Sequence, residues 1–141
     1  MMKIELIEEP KQSLVDFLEE KINEYNQENW EVKQQIPLAV KIADEDGETI
    51  AGAAGRTFGD WFLLDTLWVS ESLRGKNIGT QLLTSIEQAA INRGCKKSLL
   101  DTLNFQAMPF YQQYGYSVEW TQQGYPRTGC KYFMSKVLAT S

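Results

Sequence analysis

The sequence contains no histidine. That absence removes Ser-His-Asp and Cys-His nucleophilic catalysis, and with them the commonest zinc ligand. Acid–base chemistry must then come from Asp, Glu, Tyr, Lys, Cys, water or the backbone. Cysteine is scarce: Cys95 and Cys130 are the only two, and they make neither a metal-ligand pattern nor a disulfide framework. They are expected as reduced thiols, and neither has the histidine partner of a catalytic nucleophile. No metal is expected. No apolar run is long enough to span a bilayer, and Glu5, Glu8 and Glu9 stand where a signal peptide would be apolar. The expectation is a cytoplasmic protein without membrane partners. Positive charge is in deficit, with a net charge of −5 and a pI near 4.8. That argues against nucleic-acid binding through a broad basic face. Any polyphosphate ligand must instead meet a local focus of positive charge. Repeats, linkers and low-complexity tracts are also missing. The 141 residues, 43% of them hydrophobic, suit one domain over 1–141 with a sizeable core.

What is present is concentrated in Leu67 to Leu83. Leu67, Trp68 and Val69 end an apolar strand. Arg74, Gly75, Lys76 and Asn77 form a basic loop, and Ile78, Gly79 and Thr80 open an amphipathic helix. Amides of such a loop and of a helical first turn lack partners of their own, and the helix dipole adds positive potential. Gly75 and Gly79 permit close approach to the backbone. No proline interrupts Arg74 to Thr80, so every amide there can donate. The stretch lacks the Gly-Lys-Ser/Thr ending of a P-loop and the three glycines of a dinucleotide fingerprint.

The remaining pattern alternates strands and helices. Ile4–Ile7 reads as a first strand. A helix starts near Pro10, with Leu14, Val15, Leu18 and Ile22 on its apolar face, and fades near Tyr25-Asn26. Gln27 to Gln35 is read as a short second helix or a loop. Residues 37–43 and 49–55 form a hairpin through the turn Asp44-Glu45-Asp46-Gly47. Trp61–Val69 is so apolar that burial on both faces is expected. Ile78, Leu82, Leu83, Ile86, Ala89 and Ala90 recur at helical spacing up to Gly94. A strand at 98–102, a helix at 106–114 and strands at 116–120 and 132–137 complete the order. The fold class is α/β: a mixed (α+β) sheet of about seven strands with helices on both faces.

Arg74-Gly75-Lys76-Asn77-Ile78-Gly79 resembles the pyrophosphate loop of the GCN5-related N-acetyltransferase (GNAT) superfamily, Arg/Gln-x-x-Gly-x-Gly/Ala. Asn77 departs from the usual glycine. Asparagine is the residue after glycine that best tolerates a left-handed backbone. A second block, Asn104-Phe105-Gln106-Ala107-Met108-Pro109-Phe110-Tyr111-Gln112-Gln113-Tyr114-Gly115-Tyr116, resembles the family segment of Asn, Ala, Phe/Leu-Tyr and Gly-Phe/Tyr. The element order is similar along nearly the whole chain.

The resemblance implies acetyl-CoA as cosubstrate, bound by Leu67, Trp68, Val69, Arg74, Gly75, Lys76, Asn77, Ile78, Gly79, Thr80, Asn104, Ala107 and Phe110. It implies that Asn104 hydrogen-bonds the pantetheine arm, Phe110 packs along it, and Tyr111 protonates the departing thiolate. The strand of Leu67–Val69 is expected to splay from its neighbour. Its free amides, notably that of Val69, would then pair with the arm and stabilise the oxyanion. A coenzyme thiol with a pKa of about 8.5, like free cysteine, leaves readily and asks only modest help from tyrosine.

Asp65 lies within an apolar run, where a carboxylate needs a partner. By alternation it shares a face with Leu67 and Val69. It is the candidate general base or amine anchor, and a purely structural aspartate is the alternative. Asp101, on the adjacent strand, is its rival. Trp30 and Tyr125 are candidates to line the acceptor cleft, with Trp61, Trp120, Glu119 and Arg127 behind them. The expected reaction is direct attack of a primary amine, from a small molecule or a peptide, on the thioester in a ternary complex. A non-catalytic acyl-CoA sensor is the alternative. The sequence leaves a homodimer open and does not name the acceptor.

Overall fold

The computed structural model describes residues 2–32 and 34–138. The chain forms two compact units, Met1–Lys33 and Gln34–Ser141.

The first unit holds one helix, α1 (Gln12–Asn29), beginning two residues after Pro10. Its surface is braced locally: Gln12 Nε2 donates to Asp16 Oδ1 at 3.0 Å, and Lys21 pairs with Glu24 at 3.6 Å. The helix does not fade at Tyr25-Asn26. Asn29 Nδ2 donates to the Tyr25 carbonyl at 2.9 Å and the Trp30 amide to Asn26 at 2.7 Å, which carries α1 to Asn29. No second helix follows among the described residues of Gln27 to Gln35. Ile4–Ile7 forms no strand either. A strand needs a ladder partner for its amides and carbonyls; this stretch has none among the described residues, and Ile4 and Leu6 are exposed. Among the described residues the sheet therefore has six strands rather than about seven.

The second unit runs β1 (Ile36–Ala43), β2 (Thr49–Phe58), β3 (Trp61–Val69), a 3₁₀ turn (Glu71–Leu73), α2 (Ile78–Asn92), β4 (Lys97–Leu103), α3 (Met108–Gln113), β5 (Ser117–Gln123) and β6 (Cys130–Val137). Sheet order is β1-β2-β3-β4-β6-β5. Only β3 and β4 are parallel, joined through α2. The first hairpin turns where expected: Asp44 Oδ1 accepts from the amides of Asp46 and Glu48 at 2.9 and 3.0 Å.

α2 brings Leu82, Leu83, Ile86 and Ala90 to one face, into a core with Phe62, Leu64, Leu100 and Met134. At its end Arg93 Nη1 donates to the carbonyls of Ile36 and Pro37 and to Thr57 Oγ1, at 3.0 to 3.1 Å. That clamps α2 to β1 and β2. The expectation that β3 is buried on both faces fails. Phe62 and Leu64 are buried, whereas Asp65, Thr66 and Trp68 are exposed. Its hydrophobicity is one-sided in effect because Trp68 stands 47% in solvent.

Two irregularities in β3 position the site. Opposite β2, Ala54 pairs with Thr66 but Gly55 with Leu64, so Asp65 is an extra residue, a β-bulge. The bulge corrects the alternation expected for Asp65. Leu67 turns towards α2, with Cδ2 3.9 Å from where a Cβ of Gly79 would sit. Asp65 is instead met by Arg56, whose cross-strand partner is Leu63. Gly55 is required here: a Cβ would collide with the Leu63 carbonyl oxygen. The second irregularity is a parting of strands. β3 and β4 pair only from Trp61–Leu63 to Lys97–Leu99, and beyond that they diverge.

Candidate active site

The parting leaves main-chain groups unpaired along β3. The Ser70 amide donates to the Ile50 carbonyl at 2.9 Å. In an antiparallel ladder, alternate residues bond to one neighbour, so Trp68 and Ser70 bond to β2. Leu67 and Val69 then direct their N–H and C=O groups to the open side. Between the diverging strands lies a cleft of about 390 Å³, lined by Leu64, Asp65, Thr66, Leu67, Leu100, Asp101, Thr102, Gln106, Ala107 and Tyr111.

A second cleft of about 300 Å³ adjoins the start of α2. Val69, Arg74, Gly75, Asn77, Ile78, Gly79, Thr80, Phe110 and Tyr114 are among its walls. Gly75 has φ +83° and Asn77 φ +61°. The chain can therefore reverse twice before α2, and Asn77 takes the left-handed turn that asparagine tolerates. The first completed helical bond runs from the Gln81 amide to the Asn77 carbonyl at 3.1 Å. The amides of Ile78, Gly79 and Thr80 have no main-chain acceptor among the described residues and point out of the helix start. Arg74 and Lys76 are exposed beside them. A Cβ at Gly79 would meet the Phe110 ring at 3.5 Å, an ordinary van der Waals contact, which sets α3 against the start of α2. Thr80 Oγ1 donates to Tyr114 Oη at 2.7 Å, linking α2 to α3.

Tyr111 and Phe110 sit at the junction of the two clefts, one lining each, with ring centroids 5.2 Å apart. Tyr111 is buried, and burial pushes its hydroxyl above the ordinary tyrosine value. It stays protonated near neutrality, and its hydroxyl has no partner among the described residues. Behind it stands Tyr116, edge-to-face at 5.6 Å. Tyr116 Oη donates to Glu87 Oε2 at 2.7 Å and lies 2.7 Å from Ser98 Oγ. Lys136 Nζ donates to Glu87 Oε1 at 2.7 Å. Burial, reinforced by the Glu87 carboxylate, holds the Tyr116 hydroxyl far above its usual range. This buried network fixes the wall against which Tyr111 packs. Sequence reading missed it because Ser98, Glu87 and Lys136 lie on three different elements.

The other candidate residues are dispersed. Asp65 gives both carboxylate oxygens to Arg56 Nη1. Asp101 faces Lys131 Nζ at 3.9 Å, and Lys131 lies over the Tyr125 ring at 4.4 Å. Ala107 caps α3, its amide donating to Thr102 Oγ1 at 3.3 Å. Asn104 lines neither cleft: its Oδ1 accepts from the Cys130 amide at 3.2 Å. Trp30 closes α1 in the first unit. Sequence reading assigned no role to Thr102, in β4, or to Gln106, two residues before α3. Gln106 Oε1 accepts from the Leu103 amide at 2.8 Å. Among the described residues, no cluster of three or more His, Cys, Asp or Glu could hold a metal. Among the described residues no helix is long and apolar enough to cross a membrane.

A row of outward amides suits phosphates, and an exposed strand edge suits an amide-bearing arm. An unpartnered tyrosine hydroxyl stands between them, where group transfer would occur. These are the demands of an acyl-carrying coenzyme, and the class they define is acyltransferase. The acetyltransferase (GNAT) family model matches residues 4–116, and the chain belongs to that family. Membership implies an acyl-CoA cosubstrate and an acceptor that is a small molecule or a peptide.

Two curated relatives are similar. An acetyltransferase of Agrobacterium fabrum is 31% identical over 93 residues, covering 66% of this chain and 68% of the relative. The blasticidin-S acetyltransferase of Streptomyces morookaense is 36% identical over 89 residues, covering 62% and 65%. The chain thus spans about two thirds of the length of these relatives. Among solved structures, an acetyltransferase of Bacillus cereus superposes with a TM-score of 0.84 at 28% identity, covering 95% of this chain and 98% of that one. An Agrobacterium tumefaciens protein reaches 0.89 at 24% identity, covering 96% and 99%, and supports the fold alone.

Proposed function

We propose that the protein transfers the acetyl group of acetyl-CoA to a primary amine by direct attack in a ternary complex. The observation that carries this reading is the parting of β3 from β4 with the free Tyr111 hydroxyl on its wall. The diphosphate sits on the amides of Gly75 to Thr80, with Arg74 and Lys76 adding charge. The pantetheine arm pairs with the open edge of Leu67–Val69.

Asp65 takes the first proton from the acceptor ammonium through a water. Arg56 uses one lone-pair site on each carboxylate oxygen and leaves others free. The amine lone pair then forms a C–N bond to the thioester carbon. The Val69 amide holds the oxyanion. As the intermediate collapses the C–S bond breaks, and Tyr111 protonates the sulfur. The second amine proton returns through water to Tyr111, and one proton leaves to solvent per turnover. Juxtaposition of the two substrates supplies much of the acceleration. Both cysteines are free, which supports a cytoplasmic setting.

A primary-amine panel with acetyl-CoA, read by thiol release, tests the reading. Transfer to at least one amine is expected. Coenzyme binding with no transfer to any acceptor overturns it in favour of an acyl-CoA sensor. The tie between Asp65 and Arg56 favours that second reading, since it restrains the candidate base.

A further inference from the structure

We propose that the Lys131 ammonium occupies a subsite for a second cation of the acceptor, so that the acceptor class is a diamine rather than a monoamine. The inference rests on the amine-acetylating reading above. Lys131 Nζ lies 4.4 Å from the Tyr125 ring centroid, 5.9 Å from that of Phe133 and 3.9 Å from Asp101 Oδ1. Two aromatic faces and a carboxylate around one ammonium are the chemistry of a cation site. The cage opens on the reaction cleft, because Asp101 lines the same cleft as Tyr111.

Cage and occupant differ in rigidity. The Tyr125 loop is clamped: the Tyr125 amide donates to the Gly129 carbonyl at 2.9 Å, and the Cys130 amide donates to Asn104 Oδ1 at 3.2 Å. A Cβ on Gly129 would stand 2.7 Å from both the Tyr125 carbonyl oxygen and Asn104 Oδ1, so the loop closes only on glycine. Lys131 instead reaches the cage on a flexible four-carbon stem. Its ammonium makes no hydrogen bond among the described residues, since 3.9 Å to Asp101 is too long for one. A rigid cage with a loosely held resident is open to exchange. A substrate whose remote end is cationic can displace Lys131 towards solvent. A monoamine brings no group for the cage and leaves Lys131 where it is.

The test uses the full chain and its Lys131→Met variant, which keeps the apolar stem and loses the charge. Binding of 1,4-diaminobutane, n-butylamine and 4-aminobutyrate is measured by calorimetry with coenzyme A present. Acetyl transfer to each amine is measured in parallel. The variant is expected to raise the diamine-to-monoamine affinity ratio about tenfold, and Asp101→Asn in that background to abolish the gain. Lys131→Arg, which keeps the charge, is expected to retain the wild-type ratio. An unchanged or lowered ratio overturns the proposal, as does diamine binding to neither protein. Loss of 4-aminobutyrate binding without a diamine gain would overturn it too, by assigning Lys131 to a carboxylate. If the ratio rises but neither amine is acetylated, the transfer reading falls and the subsite stands. Acetylation of both amines at an unaltered ratio sinks the subsite alone.

Discussion

Arg56 Nη1 lies 2.5 and 2.7 Å from the two carboxylate oxygens of Asp65. The contact exists because the β3 bulge throws Asp65 out of alternation and onto the side of β2 where Arg56 stands. Side chains of the pair are 40% and 50% exposed, so its worth to stability is small, under about 1 kcal/mol. Arg56→Met is therefore expected to leave the unfolding free energy, measured by urea titration, within that margin. Asp65→Asn is expected to lower kcat/KM for the best amine about a hundredfold, the usual scale for a lost general base. Equal kcat/KM in wild type and Asp65→Asn would remove Asp65 from the chemistry.

Tyr111→Phe deletes only an unpartnered hydroxyl. Turnover is expected to fall about tenfold to a hundredfold, at or below the low end for general acids because a thiolate departs easily. Coenzyme A affinity is expected to stay within about twofold. Steady-state thiol release and calorimetry on the same preparation separate the two quantities. A matching loss in both would mean that Tyr111 shapes the arm's binding rather than donating a proton.

The phosphate loop offers a paired test. Arg74→Ala is expected to weaken coenzyme A about tenfold, the scale of one charge-assisted hydrogen bond of about 1.5 kcal/mol. Asn77→Ala puts a Cβ residue without a local hydrogen-bonding side chain at φ +61°, where the left-handed backbone costs about 1–2 kcal/mol. Asn77→Gly is expected to avoid that cost and to bind coenzyme A at least as well as wild type. Denaturation midpoints and calorimetry read both.

The network behind Tyr111 is a stability element. Glu87 and Lys136 side chains are 11% and 22% exposed, and removing one partner strands the other. Lys136→Met is expected to cost about 3 kcal/mol, the low end for breaking a buried pair. Lys136→Arg is expected to retain most of the stability. A loss below about 1 kcal/mol in Lys136→Met, measured by urea unfolding, would show that Glu87 is effectively solvated.

Stability should also fall in alkali. Burial pushes the Cys95 thiol above the free-thiol range, and it pushes Tyr111 and Tyr116 above the ordinary tyrosine value. Groups whose pKa is raised on folding stabilise the native state below their unfolded pKa, and that stability is lost as pH climbs towards the folded value. The melting temperature is expected to be steady to about pH 8.5 and to decline above pH 9. Cys95→Ala is expected to flatten the first part of that decline.

Much of this molecule was readable residue by residue, and its failures have local causes. The hairpin turn at Asp44–Gly47, the α2 stripe of Leu82, Leu83 and Ile86, and the left-handed Asn77 all follow from short-range chemistry. That is the kind of information a single sequence carries. The orientation of Asp65 was misread because alternation assumes an unbroken ladder, and one inserted residue on β3 breaks it. The Ile4–Ile7 strand was misread because β-propensity cannot supply a neighbour. The Glu87–Tyr116–Ser98 network and the Lys131 cage join residues far apart in sequence, and only tertiary structure reveals them.

Because the grip of β3 comes from its backbone, the chemical identity of Leu67, Trp68 and Val69 is nearly irrelevant to it, whereas their register is not: Leu67 and Val69 stand opposite Ala53 and Ala51. Asp65 and Thr66 share the place opposite Ala54, so the inserted residue is absorbed locally and Leu64 and Leu67 keep to the core side on either side of it. Deleting Asp65 would close the ladder and leave the open edge as it is. Evolution is thus free to gain or lose a carboxylate at this point without disturbing the strand that grips the coenzyme.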